Sequence, residues 1–194
     1  IEKVKVDIEK KLRKRVVVLR HRPSVLPILS VWTKGKKKAE QDAANTLPRQ
    51  GNNKGKMNSL FRFTYYYSDY LFGQFYIYLK YILRGYVVLY DRYYFDFIND
   101  SKRSNIQLPK KIMLAGYSLL LKPDLNFFLY APADIILNRK QELDKETIIS
   151  LTYDYLQLFQ KLNNSSSKAY LGIENIDLNN TINLIIKQTI AKVA

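Results

Sequence analysis

Asp91 and Arg92 stand where an apolar run, residues 86–90, stops abruptly in an acid and a base. A carboxylate at such a point can hold a metal ion or its waters. A guanidinium can grip a phosphate with a planar fork of donors that stays charged at any pH. The pair serves equally as the start of a solvated loop, and the residues alone leave both readings open. Chemistry of the same kind recurs along the chain. Arg20, His21 and Arg22 precede Pro23, whose ring restricts the residue before it and favours a rigid turn, so these arginines are either aimed or simply exposed. Tyr66, Asp69 and Tyr70 are spaced to project together from a helix. Two rings beside a carboxylate suit a planar ligand, and ordinary packing satisfies them as well. Arg139 and Lys140 add two further cations.

These residues need elements to hold them. Residues 16–19, 87–90, 125–130 and 169–173 read as strands. The first two lack polar alternation, which suits strands covered on both faces of a parallel sheet, and ligands in such sheets bind at the strands' carboxyl ends. Between them the spacing predicts an amphipathic helix over residues 1–13 and a long one over 58–84. The latter's expected core stripe is Leu60, Phe63, Tyr67, Leu71, Phe75, Tyr78 and Ile82, and Gly85 ends it. Pro109 opens a helix running to about Leu121, Ala131 and Pro132 begin a short one, Asp144 caps one over 145–162, and Asn180 opens the last. Residues 99–105 and 163–167 read as polar loops. Residues 33–57, rich in Gly, Lys and Asn, read as a mobile basic loop that either closes over phosphates or lies on the surface. Strand and helix alternate, which argues an α/β fold with a parallel sheet.

The 194 residues suit one domain with a real core, and no apolar run is long enough to span a bilayer. The absence of Cys excludes disulfides, thiolate zinc sites and Cys nucleophiles, and fits a reducing cytoplasm. A single histidine, His21, leaves little scope for a catalytic triad. The formal charge of +15 predicts an anionic partner, and charge alone does not choose among nucleic acid, lipid headgroups and phosphorylated small molecules.

The order of motifs resembles the thymidylate kinase family of P-loop nucleoside monophosphate kinases over essentially the whole chain. Asp91-Arg92-Tyr93 is similar to the family's Asp-Arg-Tyr motif, Asp69 to the acid of its substrate helix, and Arg22-Pro23 to the arginine and proline after its second strand. Pro123-Asp124-Leu125, with the helix running from Pro132 to Arg139, resembles the family's strand and the helix that enters its lid. The resemblance implies a three-layer α/β/α P-loop fold, one kinase-like domain over 1–194 with a short lid around 138–145, and phosphoryl transfer from ATP with Mg²⁺. It assigns Asp91 to the metal, Arg92 and Arg22 to the acceptor phosphate, and Arg139, with Lys140 beside it, to the nucleotide and the transferring group. Tyr66, Asp69, Tyr70 and Asp96 fall to the acceptor. The implied partners are a nucleotide and a phosphorylated small molecule rather than nucleic acid, and a homodimer is compatible with the family.

The chain also departs from the family. Tyr70 stands where the family reads the base with an arginine, and Asp96 replaces a serine, so thymidylate is expected to be a poor substrate. The divergent thymidylate kinase-like proteins are the nearer resemblance. No Gly-x-x-x-x-Gly-Lys-Ser/Thr sequence is present, and the expectation is that a strand and a phosphate loop precede Ile1. Two rival readings are a degenerate P-loop fold that binds a nucleotide or a protein without turnover, and a nucleic-acid-binding protein driven by charge.

Overall fold

The structure is a computed structural model, and it describes residues 1–27, 29, 31, 35, 37, 49, 55–165 and 168–193. The chain is mixed α/β, 62% helical, with small two-stranded sheets. It divides into two compact units, residues 18–121 and residues 1–17 with 122–194. The basic loop predicted at about 33–57 lies mostly outside the described residues.

In the unit of residues 1–17 and 122–194, α1 (Glu2–Leu12) lies against α7 (Leu178–Val193). Val4 and Ile8 of α1 are buried, as are Ile182 and Ile186 of α7. Strand β3 (Leu125–Tyr130) pairs in parallel with β4 (Ala169–Glu174), in register from Leu125 opposite Ala169 to Tyr130 opposite Glu174. The connection between them carries α5 (Ala133–Arg139) and α6 (Lys145–Ser165), as a parallel pair requires. Phe128 stacks on Tyr155 of α6 with ring centroids 4.5 Å apart, and Leu158 and Phe159 are buried on the same helix. Asp144 caps α6 as its sequence predicts, accepting from the Thr147 N–H at 2.8 Å.

The unit of residues 18–121 contains most of β1 (Val16–Arg20), with α2 (Lys56–Lys80), β2 (Val87–Asp91), α3 (Phe95–Asn99) and α4 (Lys110–Ser118). β1 and β2 form the second sheet, and the His21 N–H donates to the Asp91 carbonyl at 2.9 Å, so their carboxyl ends lie side by side. The two strands are less enclosed than their unbroken apolar runs suggest: every residue of β2 is half-buried. Each has one strand partner among the described residues, so one edge stays without a neighbour.

The long helix departs further from its expected pattern. It ends at Lys80, a short 3₁₀ turn spans Ile82–Arg84, and Gly85 closes it in the left-handed region at φ 76°. Its buried positions are Ser59, Phe63, Asp69, Tyr70, Gly73 and Ile77, whereas Leu60, Phe75, Tyr78 and Ile82 of the expected stripe are exposed. A helix with apolar residues on most of its circumference offers several stripes of equal period, and the neighbours choose one. Here the neighbour is Pro23, which packs so close that a Cβ on Gly73 would lie 2.3 Å from the proline Cβ. Gly73→Ala is therefore expected to destabilise by about 2 kcal/mol or more through overpacking, despite the better helix propensity of alanine. A thermal melt checks it, and a variant as stable as the parent would mean the contact is loose.

Candidate functional site

The stretch after β1 is pinned to α2 at five points. The Asp69 carboxylate accepts from Arg22 Nη1 at 2.6 Å, from the Ser24 N–H at 3.0 Å and from the Leu26 N–H at 2.7 Å. The Tyr70 hydroxyl donates to the His21 carbonyl at 2.5 Å, and the Tyr65 hydroxyl to the Pro27 carbonyl at 2.8 Å. Arg22 is further held over the face of Tyr66, its guanidinium carbon 5.1 Å from the ring centroid. The Asp69 side chain is wholly buried and that of Arg22 nearly so, so each answers the other's charge where solvent cannot. Tyr70 is equally enclosed, edge-on to Tyr93, Tyr94 and Phe97, and burial pushes its hydroxyl pKa well above the ordinary value.

The geometry gives Tyr66, Asp69 and Tyr70 distinct parts. Asp69 and Tyr70 organise the turn that bears Arg22, and Tyr66 supports the guanidinium from below. Tyr66 itself is half-buried and packs near Phe97 with centroids 6.4 Å apart.

Beside this turn, at the end of β2, Arg92 is exposed and adopts φ 70°. His21, its neighbour across the paired strand ends, sits at φ 64°, Ser24 at 58° and Arg49 at 70°. Left-handed backbone at residues other than glycine costs on the order of 1 kcal/mol each, and it gathers where a site must hold side chains or N–H groups in a set direction. Four of the six such residues described fall in this one region.

Acids and bases alternate around it. His21 feels Arg92 and Arg103 on one side and Asp96 and Asp91 on the other. Asp100 is buried, accepts from Arg49 Nε at 2.6 Å, and lies within reach of Asp96 and Arg103. Burial raises its pKa against the pull of Arg49. The sequence reading missed this part, because residues 99–105 look like a polar loop. In the fold, Arg103 belongs to a 3₁₀ turn, Ser101–Ser104, and Asp100 is the residue between that turn and α3. Asn99, the last residue of α3, has both side-chain amide atoms shielded and without a hydrogen-bond partner among the described residues, a state that proteins rarely leave outside ligand or water sites.

Desolvation first, and the Arg92 charge second, lower the pKa of His21 from its ordinary value. It is the protein's only histidine, so its imidazole gives a single set of NMR signals. The expected midpoint lies below 6.5, and Arg92→Ala should move it up. A midpoint unchanged in that variant would place Arg92 away from the imidazole. The linkage has a definite sign. The folded state binds the proton less readily than the unfolded chain, so His21 lowers stability as pH falls through the 6.5 of the unfolded chain towards the folded value.

The fold of residues 18–121 thus brings Arg22, Tyr66, Asp69, Tyr70, Asp91, Arg92 and Asp96 into the same unit. Arg139 and Lys140 belong to the other unit. Arg139 ends α5 and donates through Nη1 and Nη2 to the carbonyls of Asn175 and Ile176, at 2.9 and 3.0 Å. Lys140 pairs with Glu142 at 2.6 Å in the segment that leads to α6.

Among the described residues no group of three or more His, Cys, Asp or Glu side chains is placed to hold a metal ion unaided. Mg²⁺ fits such a donor set on one or two carboxylates, with waters and substrate phosphates completing its shell. Half-buried Asp91 at the end of β2 is suited to that part. No described helix is long and apolar enough to cross a membrane. No family model matches the chain, and no curated protein matches it.

Proposed function

We propose that the protein is a phosphoryl transferase of the thymidylate kinase-like class. It would have a three-layer α/β/α fold of P-loop type and use ATP and Mg²⁺ to phosphorylate a nucleoside monophosphate or another phosphorylated small molecule. The observation that carries the reading is the pair of adjacent strand ends, where His21 and Arg92, both left-handed, lie beside an Arg22 locked by Asp69. Phosphoryl transfer needs little covalent chemistry from the protein and much fixed positive charge, so arginines held before substrate arrives are what it requires.

In this mechanism Arg22 and Arg92 hold the acceptor's phosphate, and Asp91 would hold the metal through its waters. The metal would supply charge neutralisation on the phosphates. Tyr66, under the Arg22 guanidinium, and Asp96, close to His21 and Asp100, flank the space for the rest of the acceptor. Arg139 and Lys140 would serve the nucleotide. A cytoplasmic location goes with this reading, where ATP is abundant and a chain without cysteine needs no oxidising compartment.

ATP consumption measured across nucleoside monophosphates and sugar phosphates tests the proposal. Turnover with at least one acceptor is expected, with thymidylate poor. Tyr70 cannot reach a base while its hydroxyl is bound to the His21 carbonyl, and losing a base-reading donor removes about 1–3 kcal/mol of recognition or more. Efficient use of thymidylate at micromolar concentration would overturn that part. Nucleotide binding without any turnover would favour the degenerate fold. Affinity for nucleic acid that falls steeply with salt would favour the charge-driven reading.

A further inference from the structure

Helices α1 and α7 lie against one another and run in the same direction. Lys3 Nζ, in the first turn of α1, donates at 2.9 Å to Asn179 Oδ1 in the first turn of α7, and the buried pairs follow in step, Val4 and Ile8 on one helix, Ile182 and Ile186 on the other. Their carboxyl ends therefore lie together, and that end is basic. Five of the six residues from Lys10 to Arg15 are Lys or Arg, and α7 adds Lys187 and Lys192 with no acid anywhere in its length. Lys10, Lys11, Arg13, Lys14, Lys187 and Lys192 are all exposed, and none is paired with an acid among the described residues. The acids of α1 are placed elsewhere: Glu2 and Asp7 precede Ile8, and Glu9 accepts from the Val16 N–H at 3.1 Å. One or two bases in a last turn answer a helix dipole. This end holds more than that requires.

We propose that the outward face of the α1–α7 pair, with its basic end, is a docking surface for an anionic phospholipid membrane, met from one side and not crossed. A cluster of about four to eight Lys and Arg is drawn to the negative potential of acidic headgroups, and each base near the surface is worth about fivefold in affinity. The rest of the face favours lipid over nucleic acid. Helical period sets Val6 beside Lys10 on the side of α1 opposite Val4 and Ile8, and Leu184 with Lys187 on the side of α7 away from Ile182 and Ile186. Val6 is 43% exposed and Leu184 47%. Aliphatic side chains set among lysines suit the boundary between headgroups and acyl chains, where the lysine stems also find apolar surroundings, and a phosphate backbone offers them nothing. Residues 1–17 and 178–194 contain no Phe, Tyr or Trp on which an unpaired base could stack. The surface uses none of the residues assigned to the acceptor, the metal or the nucleotide.

Co-sedimentation of the full chain with vesicles tests the proposal, using phosphatidylcholine alone or with about 30% phosphatidylserine, in about 0.1 and 0.5 M salt. Binding is expected only where phosphatidylserine is present, and weaker at the higher salt. Lys10→Gln, Lys14→Gln and Lys187→Gln together should weaken it by about 30-fold or more. A control triple, Lys56→Gln, Lys111→Gln and Lys161→Gln, removes the same charge from other exposed positions and should change it by less than about threefold. All six lysines are exposed, so circular dichroism should be that of the parent in both variants. No binding to phosphatidylserine vesicles at the lower salt would overturn the proposal, and so would equal losses in the two triples, which would reduce the effect to net charge. Tighter binding to a DNA duplex of about 20 base pairs than to the vesicles, lost in the first triple alone, would assign the surface to nucleic acid and overturn the lipid reading as well. None of these readouts depends on turnover, so the membrane surface and the proposed function stand or fall separately.

Discussion

Asp69→Ala is expected to lose about 3–5 kcal/mol of stability. The carboxylate answers the Arg22 guanidinium and two backbone N–H groups at once, and its side chain is fully buried. Its removal leaves a nearly buried cation unpaired and two donors unsatisfied, and each orphaned neutral donor alone costs about 1–3 kcal/mol. For a chain of this length the melting temperature should fall by roughly 10 °C. A second variant separates charge from packing: replacing Arg22 by Met in the Asp69→Ala background removes the stranded cation and should recover part of the loss. A fall of less than about 2 °C for Asp69→Ala would mean that the turn is held by Tyr65, Tyr70 and the contact between Pro23 and Gly73 without the carboxylate.

Arg92→Ala is expected to reduce phosphoryl transfer by on the order of 10²-fold or more while the protein stays folded, as removal of one preorganised charge-stabilising donor does elsewhere. The side chain is exposed, so truncation opens no cavity. Its backbone, at φ 70°, favours glycine over any other residue. Arg92→Gly should therefore be as inactive as Arg92→Ala yet more stable than it by about 0.5–1 kcal/mol, because only the glycine relieves the left-handed strain. Stability and rate then move independently, which a purely structural arginine would not allow. Near-normal turnover in Arg92→Ala would remove the residue from the proposed mechanism.

A good part of this architecture was legible before any coordinates. The four strands were marked by β-branched and aromatic runs closed by charge or turn residues. Asp144 as a cap followed from its place before a helical period, and the amphipathic first helix from its apolar spacing at Ile1, Val4, Ile8 and Leu12, of which Val4 and Ile8 are buried and Ile1 is exposed. These are local properties, and neighbouring residues in the chain suffice to decide them. The place of Arg22, Asp91 and Arg92 was also visible: they stand at or just past the ends of apolar strands, where α/β sheets meet their ligands.

Which face of α2 turns inward was not legible, because phenylalanine, tyrosine and leucine surround most of that helix and periodicity ranks its stripes equally. Pro23, distant in sequence, decided it by demanding a residue without a side chain opposite. The parts played by Asp69 and Tyr70 lay beyond sequence for the same reason. Both stand at positions that could face a ligand, and only the path of residues 21–27 turned their polar atoms onto backbone groups and onto Arg22. Asp100 and Arg103 were hidden in a polar stretch that composition marks as loop, and Asp100 was drawn inward by Arg49 from far along the chain. The sequence by itself determined the four strands and the longer helices, the excess of positive charge and the kinds of group at the strand ends. Tertiary packing decided which of those groups are held rigid, which are buried as partners of one another and which remain outward, since burial and ion pairing depend on residues that meet only when the chain has folded.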